Sequence, residues 1–423
     1  FPTPQPRSPA RPPPDLGSTY SFEGVRTFHL HEPEAGATTV AIQTAIPKPH
    51  EPDTAATRIA ELPRQLAVAI LNRRLDILGK QEGAPFINAH AAVNDAFGLF
   101  RNALVELTCK PAQWPEALAV SEQELRRALE HGFQPAELDE VRANFLNALE
   151  QAARTASTRR SDQPTREIVS ALTQDEVFTT PADDLALLKP ALEKITVEHC
   201  AAALRDAFAA PGRFVSVMGN AKIEPAPAST PQSSTLHPLP SSVSSASASP
   251  DAQILAAYEK SRATPVSAPE KIDAAVFAYT DFGPPGKVAS HTHVEDLDLH
   301  LVTFANNVRL NFKKTDFEAG KIRINVRVGA GRLIEPRDQP GLAQFSDSLL
   351  VSSGLGRHSI DEVQRILAGK TVGIAFDVVS DALNFSAGTN RDDLLLQLQL
   401  IAAYITDPGY RPEVLRLVHK NFD

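Results

Sequence analysis

Methionine, tryptophan and cysteine are scarce in this chain of 423 residues: one, one and two. Two cysteines cannot build a disulfide framework. Cys109 and Cys200 each lie in an apolar-patterned segment and read as buried free thiols. No run of 18 apolar residues occurs, so no membrane-spanning helix and no membrane partner are expected. Against a net charge of −9 no basic block stands out, which sets nucleic acid aside as a partner. The opening stretch from Phe1 to Pro14 has no apolar core and does not read as a signal peptide. There is no Gly-x-Ser-x-Gly nucleophile elbow. A chain that opens on Phe1 and keeps its one methionine at Met218 reads as a piece of a longer protein.

What is present is ordinary for a globular protein, 42% hydrophobic and 22% charged, with length for two or three domains. Residues 1–20 hold seven prolines and read as an extended lead-in. Val40, Ile42, Thr44 and Ile46 alternate, which predicts a strand over 39–46. A helix is expected over 63–78, with Pro63 in its first turn and Val68, Leu71, Leu75 and Leu78 as its stripe. Residues 103–109 read as a strand and 115–130 and 136–155 as helices, separated by Gly132-Phe133-Gln134-Pro135. Residues 156–205 read as interrupted helix and 214–217 as a short strand. Residues 224–250 hold nine serines and six prolines, too little apolar surface to offset ordering entropy. The organisation expected is a first domain over 21–223, a linker over 224–270 and a second domain over 271–423.

In the second domain, Asn306-Asn307 between apolar runs predicts a tight hairpin. Ile322, Ile324, Val326 and Val328 alternate with polar residues and predict a half-buried strand. A helix over 341–350, a helix capped by Ser359 and Glu362, a strand over 382–387 and a helix over 392–405 follow. The last should present Leu394, Leu398, Ile401 and Ile405 on one face.

Three patterns raise the question of chemistry. Gln344, Asp347 and Ser348 stand at i, i+3 and i+4 on the helix at 341–350, one face of a turn. A helix-borne zinc site uses that spacing with two histidines and a glutamate; here the donors are an amide, one carboxylate and a hydroxyl, which are poor zinc ligands. His29/His31 and His291/His293 would each share a strand face, but no third ligand at helical spacing accompanies either pair, so no metal site is expected. Gly354-Leu-Gly356 before a capped helix has a phosphate-nest shape without the lysine or preceding strand of a P-loop. No catalytic, cofactor-binding or metal-ligating residue is assigned.

The halves repeat one another. Gly132-Phe133-Gln134-Pro135-Ala136-Glu137-Leu138 corresponds to Gly409-Tyr410-Arg411-Pro412-Glu413-Val414-Leu415, 277 positions on, and Asn144 meets Asn421 at the same offset. The strands at 40–46 and 322–328 fall in matching order. The fold class expected is therefore α+β: two similar domains, each of helices packed on a mainly antiparallel sheet, joined by the Ser/Pro-rich linker.

With the repeat and the degenerate helix established, the chain resembles the pitrilysin/insulinase family of zinc metallopeptidases. The first domain carries the likeness in Leu71-Asn-Arg-Arg-Leu75, Ala84-Pro-Phe86 and the run Glu124-Leu-Arg-Arg to Gly132-Phe133 and Glu137-Leu138. The second carries it in the strand from Asn307 to Phe312, in Val326-Arg-Val-Gly-Ala-Gly331 and in Gly341-Leu-Ala-x-Phe345. The resemblance implies a segment covering the second and most of the third of four domains, truncated near Asp423, with zinc in an upstream domain. The family's His-x-x-Glu-His falls on Gln344, Phe345, Ser346, Asp347 and Ser348, without either histidine. It implies a parent zinc endopeptidase whose chamber wall and hinge this segment forms, inactive by itself. Peptide substrate and the remaining domains or a homologous subunit would be its partners, and an extracytoplasmic, periplasmic place its location. The alternative is part of an inactive homologue that serves as scaffold or partner subunit.

Overall fold

The structure, a computed structural model, describes residues 21–225, 249–272 and 275–422. The proline-rich lead-in and residues 226–248 of the expected linker lie outside the described residues. The first half opens with β1 (Gly24–His31) and β2 (Thr38–Pro47). Then come α1 (Ala55–Gly79), β3 (Asn88–Ala96), β4 (Phe100–Cys109), α2 (Trp114–His131) and α3 (Pro135–Thr155). The short helices α4 (Asp162–Gln174), α5 (Pro181–Leu192) and α6 (Val197–Ala207) lead to β5 (Gly212–Gly219). The sheet runs β1-β5-β2-β4-β3. Its pairings are antiparallel except that of β1 with β5. Alternation buries Val40, Ile42, Val105 and Leu107, which join Leu66, Ile70, Leu118 and Leu125 from α1 and α2 in one core.

Helix α1 starts eight residues before the expected Pro63, which lies in its interior. Thr54 caps the helix reciprocally with Thr57, and Arg58 pairs with Asp53 beside the first turn. That capping, with Leu62, Leu66 and Ala67 buried, outweighs the missing N–H of Pro63.

The stretch 224–270, expected to be linker throughout, contains α7 (Pro250–Ala263). Ile254 and Tyr258, one turn apart, are fully buried in the core of the first half. Each such burial contributes about 1.5–3 kcal/mol, enough to hold a short helix against the sheet. The chain after α7 is tied down as a strap. Arg126 donates to the Thr264 carbonyl, Arg127 to that of Ser267, and Gln134 to those of Pro269 and Glu270. Serine and proline content conceals this, because side chains on α2 and the residue capping α3 supply the strap's hydrogen bonds.

The second half holds β6 (Val288–Val294), β7 (Leu299–Phe304) and β8 (Arg309–Phe312) as a largely exposed antiparallel sheet. The Asn306-Asn307 turn joins β7 and β8, with Asn307 at φ 66° as a tight turn requires. Next are β9 (Ile322–Val328), α8 (Leu342–Leu349), α9 (Ile360–Ile366), β10 (Ala375–Val378), β11 (Leu383–Thr389), α10 (Leu394–Thr406) and α11 (Pro412–Phe422). The sheet order β10-β11-β9 matches β3-β4-β2, antiparallel at every pairing, and the helices fall between the same strands. The fold is thus α+β, with two similar domains. The expected stripe of α10 is rotated: Leu398 and Ile405 are exposed, whereas Gln397, Leu400, Ile401 and Tyr404 are buried. Leucine on every side of this helix leaves its face undetermined by pattern. Polar contacts fix it, with Gln397 Oε1 accepting from the Gly373 N–H and Tyr404 donating to the Val351 carbonyl.

One buried ionic knot joins α1, α2 and α3. Arg74 donates to both carboxylate oxygens of Glu137, at 2.6 and 2.7 Å, and to the Gly132 carbonyl at 2.9 Å. Its guanidinium lies over the Phe133 ring, 5.1 Å from the centroid. Glu124 lies 3.6 Å away and also pairs with Arg127. Burial pushes the Glu124 carboxyl up from its ordinary value, against the pull of Arg127 and Arg74. The halves meet along a second seam. Arg73 pairs with Glu140 within the first half and with Asp361 of α9 across the junction, and Lys80 also reaches Asp361. Asn144 accepts from the Gly369 N–H.

Arg74→Ala should destabilise the chain by about 3–5 kcal/mol in denaturant unfolding, because it strands a buried carboxylate. Replacing both partners, Arg74→Met with Glu137→Leu, should cost clearly less. A loss under about 1 kcal/mol for Arg74→Ala would contradict the knot. Burial alone would raise Asp361, but hydrogen bonds from Arg73 and Lys80 outweigh it and hold the carboxyl below its ordinary value of 3.8. Its stabilisation is therefore complete above that ordinary value and is lost as pH falls through the lowered folded value. Thermal unfolding followed downward from pH 6 should fall less steeply at the acid end for Asp361→Asn, which starts from a lower Tm.

Candidate functional site

Gly341, at φ 93°, turns the chain into α8. Ala343 faces inward, Gln344 and Ser348 are exposed, and Asp347 is half-buried. The i, i+3, i+4 placement is as the spacing predicts. Asp347 is engaged, however: its Oδ1 accepts from the Val378 N–H of β10 at 2.6 Å. The corresponding helix of the first half makes the corresponding contact. Asn72 of α1 accepts from the Ala91 N–H of β3 and donates to the Ala91 carbonyl, both at 2.8 Å. Both helices thus use a polar side chain to fasten the edge strand of their own sheet. An amide, a hydroxyl and a carboxylate already bonded to backbone do not fit zinc, which favours imidazole and thiolate donors.

The Gly354-Leu-Gly356 turn has no nest of free amides. The Leu355 N–H donates to the His358 carbonyl and the Gly356 N–H to that of Asp407, while the Gly354 carbonyl accepts from Gly409. A Cβ on Gly354 would lie 2.6 Å from the Ile360 nitrogen, and one on Gly409 would lie 2.2 Å from the Ser353 carbonyl oxygen. The two glycine turns interlock, which accounts for both. Cys109 and Cys200 are free and buried, and burial pushes each thiol up to about 11. His29 is hydrogen-bonded to the Ala221 carbonyl at 2.9 Å, with His31 stacked beside it.

His291 and His293 are different. They share a face of β6, and the register of β7 sets His300 directly across from His293. A one-turn 3₁₀ segment, Glu295–Leu297, closes the hairpin and leaves Asp298 at φ 47° with its carboxylate turned back onto the strands. His293 Nε2 lies 2.9 Å from Asp298 Oδ1, and His291 Nε2 lies 3.0 Å from His300 Nδ1. The hydrogen bond from His293 holds the Asp298 carboxyl below its ordinary value. The His300 ring stacks on His293 at 4.4 Å and on Phe312 of β8 at 4.6 Å. Ligand atoms of His293, Asp298 and His300 all lie within 4.8 Å of one another. The sequence reading found the first two histidines but not Asp298 or His300. The available signal was a His-x-His run facing an Asp-x-His run across a short turn.

No family model matches the chain. Over 283 residues it is 25% identical to the probable zinc protease PqqL of Escherichia coli, an alignment that covers 65% of this chain and 28% of that protein. Among solved structures, the ferredoxin protease FusC, in complex with Arabidopsis ferredoxin, matches with a TM-score of 0.55 at 14% identity, covering 97% of this chain and 44% of that one. Pitrilysin matches with a TM-score of 0.51 at 13% identity, over 94% of this chain and 39% of that one. At these identities the solved structures show a shared fold. The chain spans less than half the length of each of these three proteins.

Asp347→Ala should cost about 1–3 kcal/mol, since it strands the Val378 amide. Asn72→Ala should cost a similar amount at the matching position. Equilibrium unfolding of the two variants checks this, and a change within about 0.5 kcal/mol of zero at both would contradict the fastening role.

Proposed function

We propose that this chain, 25% identical over 283 residues to a probable zinc protease and sharing the fold of pitrilysin, is a segment of a pitrilysin/insulinase-family protease and builds its framework rather than its chemistry. The observation that carries this reading is the paired fastening by Asn72 and Asp347. At Asp347, the place where the family carries a carboxylate to activate water, this chain has one bonded to a strand amide. In this reading residues from 21 through the strap at 264–272 form one domain and those from 275 onward a second. Together they form wall and hinge of a peptide chamber, and the ionic seam between α1, α3 and α9 sets their angle. Zinc belongs to another domain, or to a homologous subunit. Peptide would be held in part by backbone pairing to an open strand edge; β10 of the second sheet offers one. An extracytoplasmic location accords with the relative PqqL, described as a periplasmic protease.

The second reading, part of an inactive homologue acting as scaffold or partner subunit, rests on the same degenerate helix. Sequence upstream of Phe1 separates the two: His-x-x-Glu-His there supports the first, and its lack supports the second. Under either, the 423-residue chain supplied with zinc should leave unfolded peptide substrates intact. Zinc-dependent cleavage that disappears on Asp347→Ala would overturn both.

A further inference from the structure

The hairpin of β6 and β7 carries a cluster that the framework reading does not use. Its four polar side chains converge from two strands and a turn. Antiparallel register opposes His293 and His300, period two aligns His291 with His293, and the left-handed residue Asp298 folds its carboxylate onto His293. The His300 ring stacks between His293 and Phe312, which keeps it beside the other donors. His293 and Asp298 are exposed, His300 half-exposed, so an ion has open access.

We propose that His293, Asp298 and His300, with His291 behind them, form a binding site for a divalent transition ion of the zinc class. Two imidazoles and a carboxylate are a donor set that zinc takes readily, leaving a fourth position for water. A tetrahedral ion with ligand distances of about 2.0–2.1 Å holds its donors about 3.4 Å apart. The three ligand atoms lie within 4.8 Å of one another, and the nearly parallel His293 and His300 rings turn out of their stack to aim their in-plane lone pairs at the ion. His291 Nε2, 3.0 Å from His300 Nδ1, supplies the outer hydrogen bond that commonly orients a ligating imidazole. The carboxylate and three histidines also staple the hairpin in the absence of an ion, and the test separates that role from binding. The site lies away from α8 and is independent of the framework reading.

Zinc is titrated calorimetrically into the untagged 423-residue chain at pH 7.5, and cobalt binding is followed by its visible absorption. One zinc per chain is expected, with cobalt bands of a four-coordinate site. Asp298→Asn keeps a hydrogen-bond acceptor for His293, and His300→Phe keeps a ring to stack on Phe312; each should abolish the saturable binding while circular dichroism stays unchanged. His291→Ala should weaken binding about 10–100-fold, as loss of an orienting partner does. His29→Ala with His31→Ala should leave it as it was. Absence of saturable zinc binding overturns the proposal, as does binding that survives Asp298→Asn and His300→Phe, or binding that follows His29 and His31.

Discussion

The Arg74 guanidinium is the contact on which the first half depends. It leaves α1, passes over the Phe133 ring, closes on Glu137 at the start of α3 and takes up the Gly132 carbonyl at the end of α2. Its Nε and Nη2 are engaged, while the buried Nη1 has no hydrogen-bond partner and only the Glu124 carboxylate 3.6 Å away, so displacing any of these three helices would leave more of the buried charge unpaired. The residues involved are among those that carry the family likeness in the sequence. That likeness is a packing solution rather than a reaction site. Among the described residues the second half shows no such knot: its matching turn has Tyr410 exposed, and Gly409 interlocks with the glycine turn at 354–356 instead. Two copies of one topology are thus held by different chemistry.

What both copies retain is the fastening of the central helix to the edge strand. Asn72 uses an amide with two hydrogen bonds, and Asp347 a carboxylate with one. An enzyme's water-activating carboxylate must be free to exchange a proton. A carboxylate whose oxygen accepts a backbone N–H at 2.6 Å is a strut between helix and strand. The same helix position thus fastens an edge strand in both halves, and the ion pairs of Arg73 and Lys80 with Asp361 link those halves.

Much of this was legible in the sequence where pattern and burial agree. β2, β9, α2 and α3 show clean periodicity, the Asn306-Asn307 turn has its own conformational signature, and the repeat of Gly-aromatic-x-Pro marks the duplicated topology. β1 and β3 were not legible. β3 is rich in alanine and asparagine and becomes a strand through its pairing with β4. α7 is hidden at the end of a Ser/Pro-rich stretch, and two core contacts and a set of arginine bonds decide it. The face of α10 is chosen by Gln397 and Tyr404, which no count of leucines reveals. At the site, helical spacing placed Gln344, Asp347 and Ser348 together, but the partner of Asp347 comes from a strand 31 residues on. The histidine cluster needed the register of one hairpin, which sets His300 against His293.

The measurement nearest to the central claim is amide hydrogen exchange at Val378, with and without zinc. If α8 is framework, the Val378 amide is protected in the native chain, loses that protection in Asp347→Ala, and does not respond to zinc. A freely exchanging Val378 amide in the unmodified chain, or one released when zinc is added, would contradict the claim and return Asp347 to the role of a ligand or base.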